Sequence, residues 1–193
     1  MHELIRAAAD GRLPEWSCVS AARHAHIARV VALLDEWAVA ANVGEEERLR
    51  WRAAGWLHDA LRDEDPAALR DLVPAELQNV PGPLLHGPAC AERLRTAGVD
   101  DASVLNAVAW HTIGHPTLER IGHMLYLADF LEPGRHFEPA WRAKLRARMP
   151  AAGREIIRDV AAARIKHLLD ERSTVRAETV AFWNSLVADA PAA

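Results

Sequence analysis

The sequence contains few of the features that mark secreted, zinc-thiolate or membrane proteins. It has only two cysteines, Cys18 and Cys90, which are far apart and form no CxxC pair. This spacing argues against a disulfide framework and against a thiolate zinc site. No run approaches the roughly 18 apolar residues of a membrane-spanning helix, and the N-terminal stretch lacks the apolar region of a signal peptide. We therefore expect a soluble, cytoplasmic protein.

An excess of positive charge is also missing. The net charge is −4 at pH 7, whereas proteins that bind nucleic acid by neutralising phosphates are usually basic. The one arginine-rich run, "WRAKLRARMP" at 141–150, is typical of a solvated helix face, and a basic lid over a site is the alternative. We expect neither a nucleic acid nor a membrane as partner.

The alternation of apolar and polar residues that marks β-strands is absent as well. In "SAARHAHIARVVALLDEWAVA", residues 20–40, apolar residues instead recur three or four positions apart, which predicts an amphipathic helix capped by Ser17 or Ser20. Similar stretches cover most of the chain. The sequence predicts an all-α fold: one domain over 1–193, with a core at about 17–135, additional C-terminal helices at about 138–188 and a loose tail at 189–193.

Ten histidines are present, and some of them lie on or beside the apolar faces of predicted helices together with two aspartates. The six residues are His26, His58, Asp59, His86, His111 and Asp129. A single inward-facing histidine is usually a hydrogen-bonded core residue. Six polar groups without a shared partner would cost several kcal/mol each, against a total stability of about 5–15 kcal/mol. Bound metal would remove that cost, and imidazole with carboxylate suits iron, manganese, cobalt or zinc.

The adjacency of His58 and Asp59 fits a centre with two metal ions. Neighbouring residues on a helix point about 100° apart. Near a helix end, His58 could therefore bind one ion while the carboxylate of Asp59 bridges toward a second.

The order of these residues resembles the HD superfamily of metal-dependent phosphohydrolases. Flanking segments narrow the resemblance to its YqeK-like branch, the symmetrical bis(5'-nucleosyl)-tetraphosphatases, which hydrolyse diadenosine tetraphosphate to two ADP. These segments are "RHAH" at 23–26, "LLHGP" at 84–88, "HTIGHP" at 111–116 and "ADFLEPGR" at 128–135. The resemblance covers about residues 20–190 and implies an HD-domain helical bundle.

The resemblance implies two divalent or trivalent metal ions, most often iron. One ion would be held by His26, His58, Asp59 and Asp129, and the other by Asp59 as bridge together with His86 and His111. The two ions would activate a hydroxide that attacks phosphorus without a serine or cysteine nucleophile. Asp59 would thus serve both metal binding and catalysis.

The same resemblance assigns phosphate contacts to the "HT.G" and "EPGR" segments. Thr112, Gly114 and Arg135 are therefore candidate substrate-binding residues. Glu132 is a further candidate, expected to orient Arg135 or a water at the metal.

Three further residues complete the expected site. Arg62 stands where the family commonly has lysine, and it would neutralise phosphoryl charge through a planar guanidinium. Asp63 and His115 are candidate proton donors, and His115 is also a candidate substrate-binding residue, although a helix-end acid and a loop histidine are the commoner interpretations. His115 also departs from the family's usual residue. The resemblance therefore defines the hydrolytic site better than the exact substrate.

Other functions remain open at this point. A nucleoside monophosphatase or a guanosine tetraphosphate hydrolase would share the same core. Some HD-fold proteins with these six ligands are di-iron oxygenases, although the arginines and the threonine-glycine turn favour phosphate. A non-catalytic nucleotide-binding module would be expected to have lost a ligand. We expect a small nucleotide as substrate and leave a homodimer open.

Overall fold

A computed structural model describes residues 1–188, which form α-helices and two short 3-10 turns without any β-strand. The helices are α1 (Glu3–Ala9), α2 (Ala21–Ala40), α3 (Glu45–Leu57), α4 (Pro66–Arg70), α5 (His86–Thr96), α6 (Ala102–Trp110), α7 (Arg120–Leu131), α8 (Pro139–Arg146), α9 (Gly153–Asp170) and α10 (Ala177–Ala188). The predicted all-α fold is confirmed. The tail at 189–193, predicted to be loose, lies outside the described residues.

Capping residues determine where several helices begin. The Ser20 hydroxyl accepts a hydrogen bond from the backbone N–H of Arg23 at 3.2 Å, so Ser20 and not Ser17 caps α2. At α4, the carboxylate of Asp65 accepts from the N–H of Ala67 at 2.9 Å, and Pro66 occupies the first helical position. These two caps determine the first residues of α2 and α4.

Helix α7 lies in the middle of the bundle, where it packs against α2, α3, α6, α8 and α9. A continuous apolar core runs from Ile5 in α1 to Leu186 in α10. The polar residues at the C-terminal end of α7 are therefore surrounded by helices from both halves of the chain. Among the described residues, no helix is long and apolar enough to span a bilayer.

The arginine-rich run at 141–150 is not simply a solvated helix face. Arg142 is only 5% exposed, and its guanidinium donates a hydrogen bond to the carbonyl of Phe130. Arg146 donates to the carbonyl of Leu131 at 2.5 Å. These carbonyls belong to the last turn of α7, where helix geometry leaves them without partners in the helix. The expectation of a solvated face is therefore wrong for Arg142, which ties α8 to the end of α7.

The turn between α6 and α7 depends on a glycine. Gly114 has a φ of +75°, and a Cβ added to it would lie 2.1 Å from Cδ1 of Phe182 in α10. Both the backbone conformation and the close approach of the ring require glycine here. Packing against α10 thus accounts for this residue of the "HT.G" segment.

An ion pair between α3 and the start of α6 should make stability depend on pH. Arg50 donates two hydrogen bonds of 2.7 Å to Asp101, which also caps α6. Burial alone would raise the pKa of Asp101, but the bonds from Arg50 and from backbone N–H groups hold that pKa below its usual 3.8. The stabilisation is therefore fully present above the unfolded-state pKa of about 4 and is lost as pH falls through the folded-state value.

Asp101→Asn keeps a capping side chain. We expect it to lower the free energy of unfolding by about 1 kcal/mol relative to the wild type at neutral pH. Urea unfolding at pH 7, 5 and 3 measures the effect. The difference between the two proteins should shrink as pH falls below about 4, because the unfolded wild type then takes up a proton at Asp101 more readily than the folded protein does. A difference that stays constant over this range would contradict the role of the charge.

Candidate metal centre

The structure gathers all six predicted metal ligands in one buried cluster, although they come from distant parts of the chain. They are His26 in α2, His58 and Asp59 at the end of α3, His86 at the start of α5, His111 at the end of α6 and Asp129 in α7. Four of them lie at helix ends, where a side chain can point along the helix axis into the space between neighbouring helices. The apolar faces of the helices bring those ends together.

The carboxylate of Asp59 lies between two groups of ring nitrogens. Its Oδ1 is 3.1 Å from Nε2 of His86 and 3.5 Å from Nε2 of His111. Its Oδ2 is 3.6 Å from Nε2 of both His26 and His58. Each oxygen of one carboxylate thus faces a different pair of imidazoles, which is the arrangement that a bridging ligand requires.

The carboxylate of Asp129 joins the first of these groups. Its Oδ1 is 3.2 Å from Nε2 of His26, and one donor atom each of His26, His58 and Asp129 lies within 4.8 Å of the others. Donor atoms of His58, Asp59 and His111 are equally close to one another. His58 therefore lies near the middle of the cluster, within reach of either group.

Every histidine of the cluster is oriented through its other ring nitrogen. Nδ1 of His58 is 2.7 Å from the carbonyl of Gly55, and Nδ1 of His86 is 3.0 Å from that of Pro83. Nδ1 of His111 is 2.9 Å from the carbonyl of Val108. A carbonyl can only accept, so these contacts place the proton on Nδ1 and leave Nε2 as a lone pair directed into the cluster.

Two features show that the cluster fits metal ions. Nε2 of His26 and of His58 are buried and have no hydrogen-bond partner among the described residues. Nε2 of His86 and of His111 lie 3.1 Å apart, and with both protons on Nδ1 these are two acceptors facing each other. A cation resolves both conflicts, and imidazole with carboxylate is a donor set for iron, manganese, cobalt or zinc.

The ionisation of the cluster also suits cations. Burial lowers the pKa of His58 to about 4 and lowers the pKa of His86, so both rings are neutral at neutral pH. Burial would raise the pKa of Asp129, but its contact with His26 and the charge of Arg135 hold that pKa well below the usual range. Asp59 accepts a hydrogen bond from the guanidinium of Arg23, which favours the ionised carboxylate. Neutral imidazoles and ionised carboxylates are the forms that bind metal.

Glu132, predicted to orient Arg135 or a water, lies against His26 as well as Arg135. It is 2% exposed, and its Oε1 is 3.2 Å from Nδ1 of His26. Its Oε2 accepts hydrogen bonds from Arg29 at 2.5 Å and from the N–H of Gly134 at 2.7 Å. Arg135 is farther from this carboxylate, at 3.7 Å, and its main partner is Asp129. Glu132 is thus positioned to hold the ring of His26 in one orientation.

We expect Glu132→Gln to weaken binding of the ion at His26 by about 10–100-fold, the usual effect of removing the carboxylate behind a histidine ligand. The second group of nitrogens should keep its affinity, because no member of it contacts Glu132. Titration with a competing chelator resolves the two affinities. Glu155→Gln, on the exposed face of α9, is the control, and wild-type affinity for both ions in Glu132→Gln would contradict the assignment.

Arg23 is a functional candidate that the sequence pattern did not single out beyond its place in "RHAH". Its Nη1 donates to Oδ2 of Asp59 at 2.7 Å, and its Nε is 3.7 Å from Asp63. Asp63 also accepts from the N–H of Ser20 at 2.8 Å. A residue near the start of α2 looks solvated in the sequence, and only the fold shows that the turn after α3 meets it.

The remaining predicted residues surround the cluster at different distances. The hydroxyl of Thr112 is 3.0 Å from Nε2 of His111. Arg62 is half-buried, and its charge contributes to the lowered pKa of His86, after the larger effect of burial. His115 stacks on Trp110 with 4.7 Å between ring centroids, and its Nδ1 is 2.7 Å from the hydroxyl of Thr117. No contact joins His115 to the six-residue cluster among the described residues.

This chain is similar to one protein family and to three proteins that share a name. A family model described as the HD domain matches residues 23–181. A symmetrical bis(5'-nucleosyl)-tetraphosphatase from Halalkalibacterium halodurans is 29% identical over 140 residues, which cover 69% of this chain and 74% of that protein. Proteins of the same name from Staphylococcus aureus and Bacillus subtilis match at 29% over 101 residues and 38% over 69 residues. These shorter matches cover 49% and 35% of this chain and 52% and 37% of those proteins.

A solved structure shows the same fold. It is that of a predicted HD superfamily hydrolase involved in NAD metabolism from Clostridium acetobutylicum, with a TM-score of 0.76. The match covers 96% of both chains at 24% sequence identity.

Proposed function

The chain belongs to the HD domain family, and we propose that it is a metal-dependent hydrolase that cleaves diadenosine tetraphosphate symmetrically into two ADP. The observation that carries the proposal is the carboxylate of Asp59, whose two oxygens face separate pairs of histidine nitrogens. Three relatives named as symmetrical bis(5'-nucleosyl)-tetraphosphatases support the choice of substrate. Iron is the metal we expect, and manganese, cobalt or zinc would suit the same donors.

The residues divide into two metal sites. We assign His26, His58 and Asp129 to one ion and His86 and His111 to the other, with Asp59 shared between them. When bound, the two ions supply Lewis-acid activation of water and neutralisation of phosphoryl charge. The protein contributes fixed ring orientations, two ionised carboxylates and a buried setting that strengthens each interaction.

Positive side chains around the cluster are suited to a phosphate chain. Arg135 contacts Asp129 and its side chain is 39% exposed, whereas Arg62 is half-buried and its charge acts on His86. Both guanidiniums can contact phosphoryl oxygens and offset the charge that spreads over them during displacement. Thr112 can place its hydroxyl on a phosphate at the second metal site. Packing against Phe182 already accounts for glycine at position 114. We therefore assign no phosphate contact to its backbone N–H.

The symmetrical reaction consumes one water and releases two identical products. Water attacks the second phosphorus from one nucleoside, and the bond from that phosphorus to the central bridging oxygen breaks. The bridging oxygen leaves with the second half as ADP, which is stable as an anion and requires little help from a general acid. Burial alone would raise the pKa of Asp63. Hydrogen bonds from Ser20 and the charge of Arg23 nevertheless hold that pKa below its usual value. We therefore assign Asp63 to holding Arg23, because an ionised carboxylate donates no proton.

Incubation of the protein with diadenosine tetraphosphate tests the proposal. Separate samples are loaded with iron(II), manganese, cobalt and zinc, and the nucleotides are separated after reaction in H₂¹⁸O. ADP as sole product, with one ¹⁸O for every two ADP, is the expected result. ATP with AMP would refute the symmetrical cut, and no turnover by a protein that holds two metal ions would refute the function.

Parallel assays address the alternatives. AMP and guanosine tetraphosphate are offered to the same metal-loaded samples, and the reactions are repeated without O₂. The proposal requires that diadenosine tetraphosphate be the best of these substrates and that its hydrolysis not depend on O₂. Turnover that requires O₂ would instead support a di-iron oxygenase.

A further inference from the structure

A cavity of about 420 Å³ lies beside the metal centre, lined by residues of α7, α8, α9 and α10. Its volume falls in the range of about 300–1,000 Å³ that is usual for small-molecule sites. Thr112 joins the two, because it lines the cavity while its hydroxyl lies 3.0 Å from Nε2 of His111. A ligand in this cavity would therefore extend directly toward the second metal site.

The wall of the cavity is positively charged. It includes Arg142, Arg164 and Arg176, and no aspartate or glutamate is found among its described lining residues. Arg176 is neutralised by Glu178 at 3.1 Å. Arg142 and Arg164 instead donate to the backbone carbonyls of Phe130 and Thr112. A carbonyl satisfies an N–H group but does not neutralise the charge, so two cationic side chains line the cavity without a hydrogen-bonded carboxylate among the described residues.

Of the two arginines, Arg142 gives the stronger evidence for a bound anion. It is 5% exposed, and its Nε has no hydrogen-bond partner within the described part of the chain. Burial, followed by the charges of Arg135 and Arg164, lowers its pKa to about 10, so it remains cationic at neutral pH. A buried charge with an unsatisfied donor is costly unless an anion binds there.

Aromatic rings hold these guanidiniums and extend the site to the surface. The guanidinium of Arg142 lies 3.9 Å from the ring centroid of Phe130, and that of Arg164 lies 4.9 Å from that of Tyr126. Stacking on a ring leaves the N–H edges of a guanidinium available to phosphate oxygens. Phe137 lines the same cavity but is 62% exposed. An exposed ring next to a cationic cavity is suited to stack on a nucleobase.

We propose that this cavity binds one nucleoside-phosphate end of the substrate, with phosphate oxygens on Arg142 and Arg164 and the base against Phe137. The identity of the whole substrate rests on the proposed function, whereas the site itself follows from the cavity. The phosphate chain would continue past Thr112 to the metal centre. The C-terminal helices would then determine which nucleotides the enzyme accepts.

Calorimetric titration of the metal-loaded protein with ADP and with inorganic pyrophosphate tests this site. Phe137→Ala should weaken ADP binding about tenfold, the effect of losing one stacking ring, and should leave pyrophosphate binding unchanged. Arg164→Ala should weaken ADP binding at least about tenfold. Arg164→Lys should recover only part of the loss, because an ammonium lacks the planar fork. Arg154→Ala, on α9 but lining a different cavity, should bind ADP like the wild type.

The outcomes separate this inference from the proposed function. Metal content is measured in each variant, and two ions per chain must be retained for a loss of ADP affinity to count. Phe137 is exposed, so its substitution keeps the test valid if Arg164→Ala fails to fold. Wild-type ADP affinity in Phe137→Ala and Arg164→Lys, or an equal loss for pyrophosphate in Phe137→Ala, would overturn the inference. Failure to hydrolyse diadenosine tetraphosphate, with ADP affinity still dependent on Phe137, would refute the proposed function alone.

Discussion

Replacing Asp59 with asparagine is expected to lower kcat/KM for diadenosine tetraphosphate at least about 10³-fold and to remove at least one of two bound metal ions. The two side chains have nearly the same shape, so the buried turn after α3 should be kept. The substitution nevertheless replaces one of two ligand oxygens with an NH₂ group. On either side of the side chain, that group would donate a hydrogen bond to ring nitrogens whose lone pairs must bind metal.

Loss of bound metal together with loss of activity is the result that would identify Asp59 as the bridging ligand. Arg23 would also lose a charged partner, since its Nη1 lies 2.7 Å from Oδ2 of Asp59. Elemental analysis gives the metal content, and the nucleotide assay gives the activity of the same sample. Asp71→Asn, an exposed substitution at the end of α4, should change neither. A metal-replete Asp59→Asn protein would show that Asp59 is not the bridging ligand.

Substituting alanine for Gly87 is expected to weaken the second metal site and to destabilise the fold by about 1–3 kcal/mol, the range seen for overpacked cores. A Cβ at this position would lie 2.7 Å from the carbonyl oxygen of Val108 and 2.8 Å from that of Ala109. Both atoms are backbone and cannot rotate away. Helix α5 would therefore have to move away from α6, and with it His86 from His111.

Urea unfolding and metal content together test this effect. Gly44→Ala is the matched control, because a Cβ there would meet nothing within 4 Å and only the mild cost of changing a helix N-cap, under about 1 kcal/mol, is expected. Wild-type stability with two bound ions in Gly87→Ala would contradict the close-approach argument. The glycine in "LLHGP" thus has a physical reason: it lets two ligand-bearing helices touch.

Helical periodicity predicts that these polar residues lie on the apolar faces of their helices or at the ends of those faces. Each follows or lies among apolar residues at helical spacing, so its direction depends on local sequence alone. The roles of the two oxygens of Asp59 could not be predicted in the same way. They depend on the crossing of α2, α3, α5 and α6, which no local pattern encodes.

Local sequence patterns did not predict features that depend on contacts formed only in the folded chain. Helix α1 was not predicted because it has only seven residues and is capped by the ring of His2, which accepts from the N–H of Leu4 at 3.2 Å, whereas caps are usually Ser, Thr, Asp or Asn. Arg142 looks solvated within a basic run, and its burial depends on the end of α7. Glu132 similarly contacts Arg29, which lies 103 residues away in the sequence.

Anomalous diffraction from crystals of the manganese-loaded protein measures the central claim most directly. We predict two peaks on opposite sides of the Asp59 carboxylate, one next to His26 and His58 and the other next to His86 and His111. A single peak, or peaks that do not share Asp59, would contradict the two-metal centre and the mechanism built on it.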